Sequence, residues 1–167
     1  MPGGEGIRQD AQLGSLTFES ERITIPCHRN RLTRMEVPVS DKPEKSVNVV
    51  QTYTDDQGSS RFDSYSISQT LQQFAPPADP VFVSAPEPAR SYVVIYMPPG
   101  WVGKPHPSPH RQILFCLTGG MRITSSAGEV RTLNPGDAWL MGDTTGEGHK
   151  SEVTTDEGTQ VVIVQLE

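Results

Sequence analysis

The sequence has little of what a secreted, membrane-spanning or nucleic-acid-binding protein needs. Cysteine appears twice in 167 residues, as Cys27 and Cys116, too few for a disulfide framework. Cys116 lies within ILFCL, where a small buried apolar side chain is expected. No apolar run approaches the roughly 20 residues that a membrane-spanning helix requires. The opening MPGGEGIRQDAQLGS lacks the basic-then-apolar order of a secretory signal. Basic excess is missing too: 14 Lys and Arg stand against 20 Asp and Glu, for a net charge of −6. Nucleic-acid binders usually carry a basic face that neutralises phosphates. The one basic concentration, Arg29, Arg31 and Arg34, reads as a solvated arm. These absences predict a soluble cytoplasmic protein with neither a nucleic-acid nor a membrane partner.

Known catalytic signatures are missing as well. There is no G-x-S-x-G and no H-E-x-x-H. GWVGKP is not a phosphate loop, because its glycines are too close and Pro105 follows Lys104. Nothing in the pattern suggests a repeat, a helix bundle or a βαβ unit.

What is abundant is turn chemistry. The chain holds 15 Gly and 15 Pro, with 34% hydrophobic and 20% charged residues. That mixture favours many short strands, and the length suits a single domain with a real core. The first 15 residues are Gly-rich and polar, and 16–39 alternate weakly enough to supply edge strands. DKPEK reads as a linker, which divides an N-terminal extension, 1–45, from a barrel, 46–167. VNVVQTY and RFDSYSIS flank DDQG, a hairpin with Gly58 at its turn. SQTLQQF, at 68–74, is predicted as a short helix capped by Ser68 and stopped by Pro76 and Pro77. PVFVS, SYVVIYM, RQILFCL, MRITS, EVRTL, DAWLM, HKSEVTT and TQVVIVQL read as short strands between Gly-containing turns. PPGWVGKPHPSP is too rich in proline for a central strand. The predicted class is all-β, a sandwich or barrel.

Chemistry concentrates between residues 106 and 149, which hold three of the four histidines. His106, Ser108, His110 and Gln112 are spaced two apart, so an extended strand would present all four on one face. His149 follows two turn-rich segments later and is expected from a neighbouring strand. Tyr96, Trp101 and Trp139 are candidates for the pocket wall, although aromatics in strands are more often core. Asp143 and Glu147 sit in the DTTGEG loop beside His149; that loop reads as an ordinary polar turn, with orienting the histidine or closing over a ligand as the alternative. His28 stands apart from this cluster.

The C-terminal half resembles the cupin superfamily. Its first motif runs G, five residues, His-x-His, three or four residues, Glu, six residues, Gly. Here Gly100 precedes His106 by that spacing, Ser108 takes the second His place, Gln112 the Glu place, and Gly119 closes it. The second motif runs G, five residues, Pro-x-Gly, two residues, His. Gly136 opens it here, Gly142 stands at the Pro, and a longer loop leads to His149. FAPPADPVFVSAPEPA, HPSPHRQ and DTTGEGH are also similar to segments of small single-domain cupins of uncharacterised role.

The resemblance implies a double-stranded β-helix, or jelly-roll barrel, whose N-terminal extension, where it is not disordered, exchanges across a homodimer. It also implies a ligand site in the bore. A typical metal-binding cupin offers three His and one Glu; this chain keeps two of the four in register, His106 and His149. The leading expectation is an enzyme acting on a small organic molecule. A divalent Fe, Mn, Ni, Cu or Zn on His106, Gln112 and His149 would support oxygenase-like chemistry. The alternative is a metal-free isomerase, cyclase or dehydratase. It would use His106, His110 or His149 as acid and base, with Tyr96, Trp101, Ser108 and Gln112 on the substrate. A third expectation is a binding module that catalyses nothing.

Overall fold

A computed structural model describes residues 44–167. The expected edge strands of 16–39, the dimer-exchanging extension, Cys27, His28 and the arginine cluster lie outside the described residues. Among the described residues every regular element is a strand. The strands are β1 (Glu44–Thr54), β2 (Ser60–Gln72), β3 (Val81–Ser84), β4 (Ala89–Met97) and β5 (Gln112–Thr118). Then come β6 (Met121–Ser125), β7 (Val130–Leu133), β8 (Ala138–Met141), β9 (His149–Val153) and β10 (Thr159–Leu166). Val, Ile, Thr and Tyr dominate β1, β4 and β10, as suits residues whose branched or flat side chains pack on a pleated surface.

Seven strands form one sheet in the order β3-β2-β1-β8-β5-β10-β4, and three form a second in the order β7-β6-β9. Neighbours far apart in sequence pair directly, including the parallel β1–β8 contact, in which Thr52 lies opposite Met141. The sheets enclose a core drawn from both: Phe62, Leu114, Cys116, Trp139 and Val161 from the larger, Met121, Ile123 and Leu133 from the smaller. Burial of about 1.5–3 kcal/mol per large apolar side chain is the main force closing them together. Cys116 is buried here as expected, and burial followed by the nearby charge of Asp137 pushes its thiol pKa up.

The predicted hairpin is present. β1 and β2 pair from Glu44↔Thr70 to Thr54↔Ser60, and Gly58 turns with φ 84°. Asp55 shapes the turn by accepting backbone N–H bonds from Gln57 at 3.0 Å and Ser59 at 2.9 Å. The predicted helix at 68–74 is not present: Ser68 to Gln72 complete β2. That segment is paired on both sides, with Ser46↔Ser68 toward β1 and Leu71↔Phe82 toward β3. Two ladders of hydrogen bonds outweigh the local helix signal, although Ile67 and Phe74 stand at helical spacing from Leu71.

Candidate active site

The site begins with prolines. Pro107 and Pro109 cannot donate to a ladder, so the chain from 106 to 111 is no continuous strand, and β5 starts only at Gln112. The expectation of four polar side chains along one strand face is therefore corrected. Ser108 and Gln112 are buried, while His106 and His110 are exposed. His106 instead forms an isolated antiparallel bridge with His149, the first residue of β9. Each backbone N–H of the pair donates to the other's carbonyl at 3.0 Å.

Glycine makes that bridge possible. Gly148 has φ 71°, and a Cβ there would lie 2.1 Å from the His106 carbonyl oxygen. Gly146, with φ 76°, packs as closely on Gly58 of the β1–β2 turn. Glu147 N–H donates to the Gly58 carbonyl at 3.0 Å, and Thr54 Oγ1 to the Thr145 carbonyl at 2.9 Å. The DTTGEGH loop is thus clamped onto the first hairpin.

That clamp places Asp143 at the centre of a closed polar network. Its side chain is 0% exposed. His149 Nδ1–H donates to Oδ2 at 2.7 Å, and Ser60 Oγ donates to the same oxygen at 2.7 Å. Thr52 Oγ1 and Ser108 Oγ each donate to Oδ1 at 2.9 Å. Four donors meet the four lone-pair positions of one carboxylate. Trp139 Nε1–H extends the network by donating to Thr52 Oγ1 at 3.1 Å, and its ring stands edge-on to His149 at 4.7 Å. Burial pushes the Asp143 carboxyl pKa up. The hydrogen bond and charge of His149, with the Ser60 and Ser108 hydroxyls, more than offset it and hold the carboxyl below its ordinary value.

The network fixes a tautomer. An ionised carboxylate only accepts, so Nδ1 of His149 carries a proton and Nε2 is the ring nitrogen left to exchange one. His106 is fixed alike, because its Nδ1 lies 2.7 Å from the Lys104 carbonyl, which also only accepts. The two rings stand side by side, with centroids 5.1 Å apart.

Other expected site residues are placed elsewhere. Ser108 serves Asp143 rather than facing a substrate. Gln112 is buried in the same inward row as Thr52 and Met141, and its amide donates to the Met141 sulfur at 3.4 Å. Trp101 is half-buried against the core, and its carbonyl accepts from Val153. Tyr96 is exposed on edge strand β4, donating to the Glu157 carbonyl at 3.2 Å. His110 is exposed, with no hydrogen bond among the described residues. Glu147 is exposed and contributes its backbone alone. Asp143, read from sequence as part of a polar turn, is the residue that organises the rest.

The donor set does not match a three-imidazole, one-carboxylate metal site. Among the described residues no three His, Cys, Asp or Glu side chains gather to hold a metal ion. The carboxylate nearest the imidazoles already has all its lone pairs engaged. Two imidazole Nε2 atoms and the Gln112 amide remain.

No family model and no curated protein matches the chain. It is similar to several solved structures. KdgF from Halomonas sp. is 26% identical over 50% of this chain and 74% of that one, with a TM-score of 0.39. A cupin 2 conserved barrel domain protein from Salinispora arenicola is 20% identical over 59% and 76%, with a TM-score of 0.40. The fold of the described residues is all-β, a seven-stranded and a three-stranded sheet around a shared core. A conserved protein of unknown function from Streptococcus pyogenes is 20% identical, with a TM-score of 0.38; 46% of this chain spans 62% of that protein's length. No helix among the described residues is long and apolar enough to cross a membrane.

Proposed function

We propose that this cupin-like barrel acts on a small organic molecule by metal-free acid–base chemistry, with His149 as the proton carrier and Asp143 as its positioning residue. The observation that supports this reading is the buried pair itself, an imidazole whose Nδ1–H is held at 2.7 Å by a carboxylate with three further donors. Such a carboxylate fixes the ring's tautomer and stabilises the imidazolium formed when Nε2 takes a proton. His106, 5.1 Å away between ring centroids, is the second imidazole that can return a proton to the product. Isomerisation, cyclisation and dehydration all need one proton removed and one delivered.

The test is deuterium exchange into a panel of small keto acids and ketoses in D2O buffer with a chelator, read by NMR. The expected result is exchange at a carbon next to a carbonyl, reduced about 100- to 10,000-fold in His149→Ala. Exchange that survives His149→Ala, or that appears only after Fe, Mn, Ni, Cu or Zn is returned, overturns the reading. Near-stoichiometric uptake of one of those ions, lost in a His106→Ala, His149→Ala variant, would move the site to metal chemistry on His106, Gln112 and His149. Binding of a panel member without exchange would make the barrel a ligand-binding module.

A further inference from the structure

A polar side chain on the inward face of a sheet needs a partner or a task, because that face is normally apolar. Two neighbouring inward rows of the large sheet differ in this respect. One runs Val50, Trp139, Leu114, Ile163, Val93 across β1, β8, β5, β10 and β4, and is apolar throughout. The row beside it runs Thr52, Met141, Gln112, Gln165, Ser91 on the same five strands. The residues that alternate with these, Leu140, Ile113 and Val164, pack on the outward side. Both rows start at the histidine site. Trp139 stands edge-on to His149 at 4.7 Å, and Thr52 donates to Asp143.

Thr52 serves Asp143, but the two glutamines of the polar row do not. They lie directly opposite each other on β5 and β10, with Cβ atoms about 4.5–5.5 Å apart. Their amides are turned opposite ways. Ser91 Oγ–H donates to Gln165 Oε1 at 2.8 Å, so the end left over is Nε2 with its two N–H donors. The Gln112 amide nitrogen donates to the Met141 sulfur at 3.4 Å, so the end left over is Oε1. No hydrogen bond joins the two amides among the described residues. They therefore offer one acceptor beside two donors. Val93, in the apolar row, is 44% exposed although it faces inward, so this wall is open on the β4 side.

We infer that Gln112 and Gln165 bind a hydroxyl of a neutral substrate, a ketose or related hydroxy ketone, and select it over a keto acid. The inference rests on the acid–base reading of His149. A hydroxyl donates to Gln112 Oε1 and accepts from a Gln165 N–H, which uses both free ends at once. A carboxylate has acceptors alone and meets Gln112 Oε1 acceptor against acceptor. Neither row carries a Lys or Arg to offset that. Leu114, Ile163 and Val93 provide an apolar strip for the C–H face of the same molecule. Two strand spacings, about 10 Å, separate β8 with its Trp139 from β10. Less the reach of a glutamine side chain, that span suits a chain of about five carbons.

The experiment compares two ketones of equal carbon number, xylulose and 2-oxoglutarate, in deuterium exchange by the full chain in D2O with a chelator. The expected kcat/KM is at least about 10-fold higher for xylulose. Gln165→Leu should raise KM for xylulose about 10-fold and change kcat far less, because the hydroxyl is bound alike before and during proton transfer. Ser91→Ala, at an exposed edge position, frees the Gln165 amide to rotate and should raise the same KM about threefold. Equal or faster exchange into 2-oxoglutarate overturns the inference, as does an unchanged KM in both variants. Side-chain NH2 signals of Gln112 and Gln165, followed by NMR during a xylulose titration, separate this from the acid–base reading. In His149→Ala exchange should stop while those signals still shift. Should the native chain exchange neither ketone, shifted amide signals keep the hydroxyl site and the acid–base reading falls. Unshifted amide signals overturn the hydroxyl site.

Discussion

At the scale of single residues, Asp143 carries the site. It is a buried charge, affordable only because four donors surround it. Asp143→Asn keeps the shape but puts an NH2 where one pair of donors points, and removes the charge that holds His149. The variant should lose about 3–5 kcal/mol at neutral pH, measured by urea denaturation. The pH dependence follows from the lowered carboxyl pKa. A carboxyl depressed in the folded state stabilises fully above its ordinary value near 3.8. That contribution is lost as pH falls through the lower folded value. The carboxyl's share of the gap between native protein and variant should therefore be full above about pH 5 and shrink progressively below about pH 4. A gap that already shrinks between about pH 7 and 5 would show that Asp143 is not held ionised. Two of its partners, Thr52 and Ser60, lie 91 and 83 residues away in the chain, so nothing local in DTTG distinguishes this aspartate from a turn residue. His149 is legible because histidines are few; its partner shows in the sequence only as an alternative to a plain turn.

At the scale of elements, the sequence marks strands and turns well where residue chemistry alone decides them. DDQG with Gly58 and the Val-rich runs are of that kind. It misleads where pairing decides. Ser68 to Gln72 has a cap-like start and a proline stop, and only the neighbours β1 and β3 make it strand. The His106-to-Gln112 run kept the right spacing for a strand, but two prolines broke the ladder, so the imidazole meeting His149 is reached by a bridge and not a strand face. Gly148 is the hinge of that arrangement. Gly148→Ala forces a side chain into a left-handed backbone at φ 71° and against the His106 carbonyl. The strain alone costs about 1–3 kcal/mol, and relief requires the bridge to open. The expected outcome is a less stable protein in which the His106 and His149 ring signals lose their mutual nuclear Overhauser contacts. Gly128→Ala is the control: it also has a positive φ, 86°, but open space around its Cβ. It should show the backbone cost and leave the imidazole pair intact.

At the scale of the whole molecule, two apolar faces on one sheet couple the clusters on its two sides. Val49 and Leu140 belong to the outward cluster, which shares strands β1 and β8 with the core around Trp139. Alternate residues of β8 serve the two sides, Trp139 and Met141 inward, Ala138 and Leu140 outward. Loosening one cluster therefore frees the strand that supports the other, and Thr52 on β1 carries the disturbance to Asp143 through a single hydrogen bond.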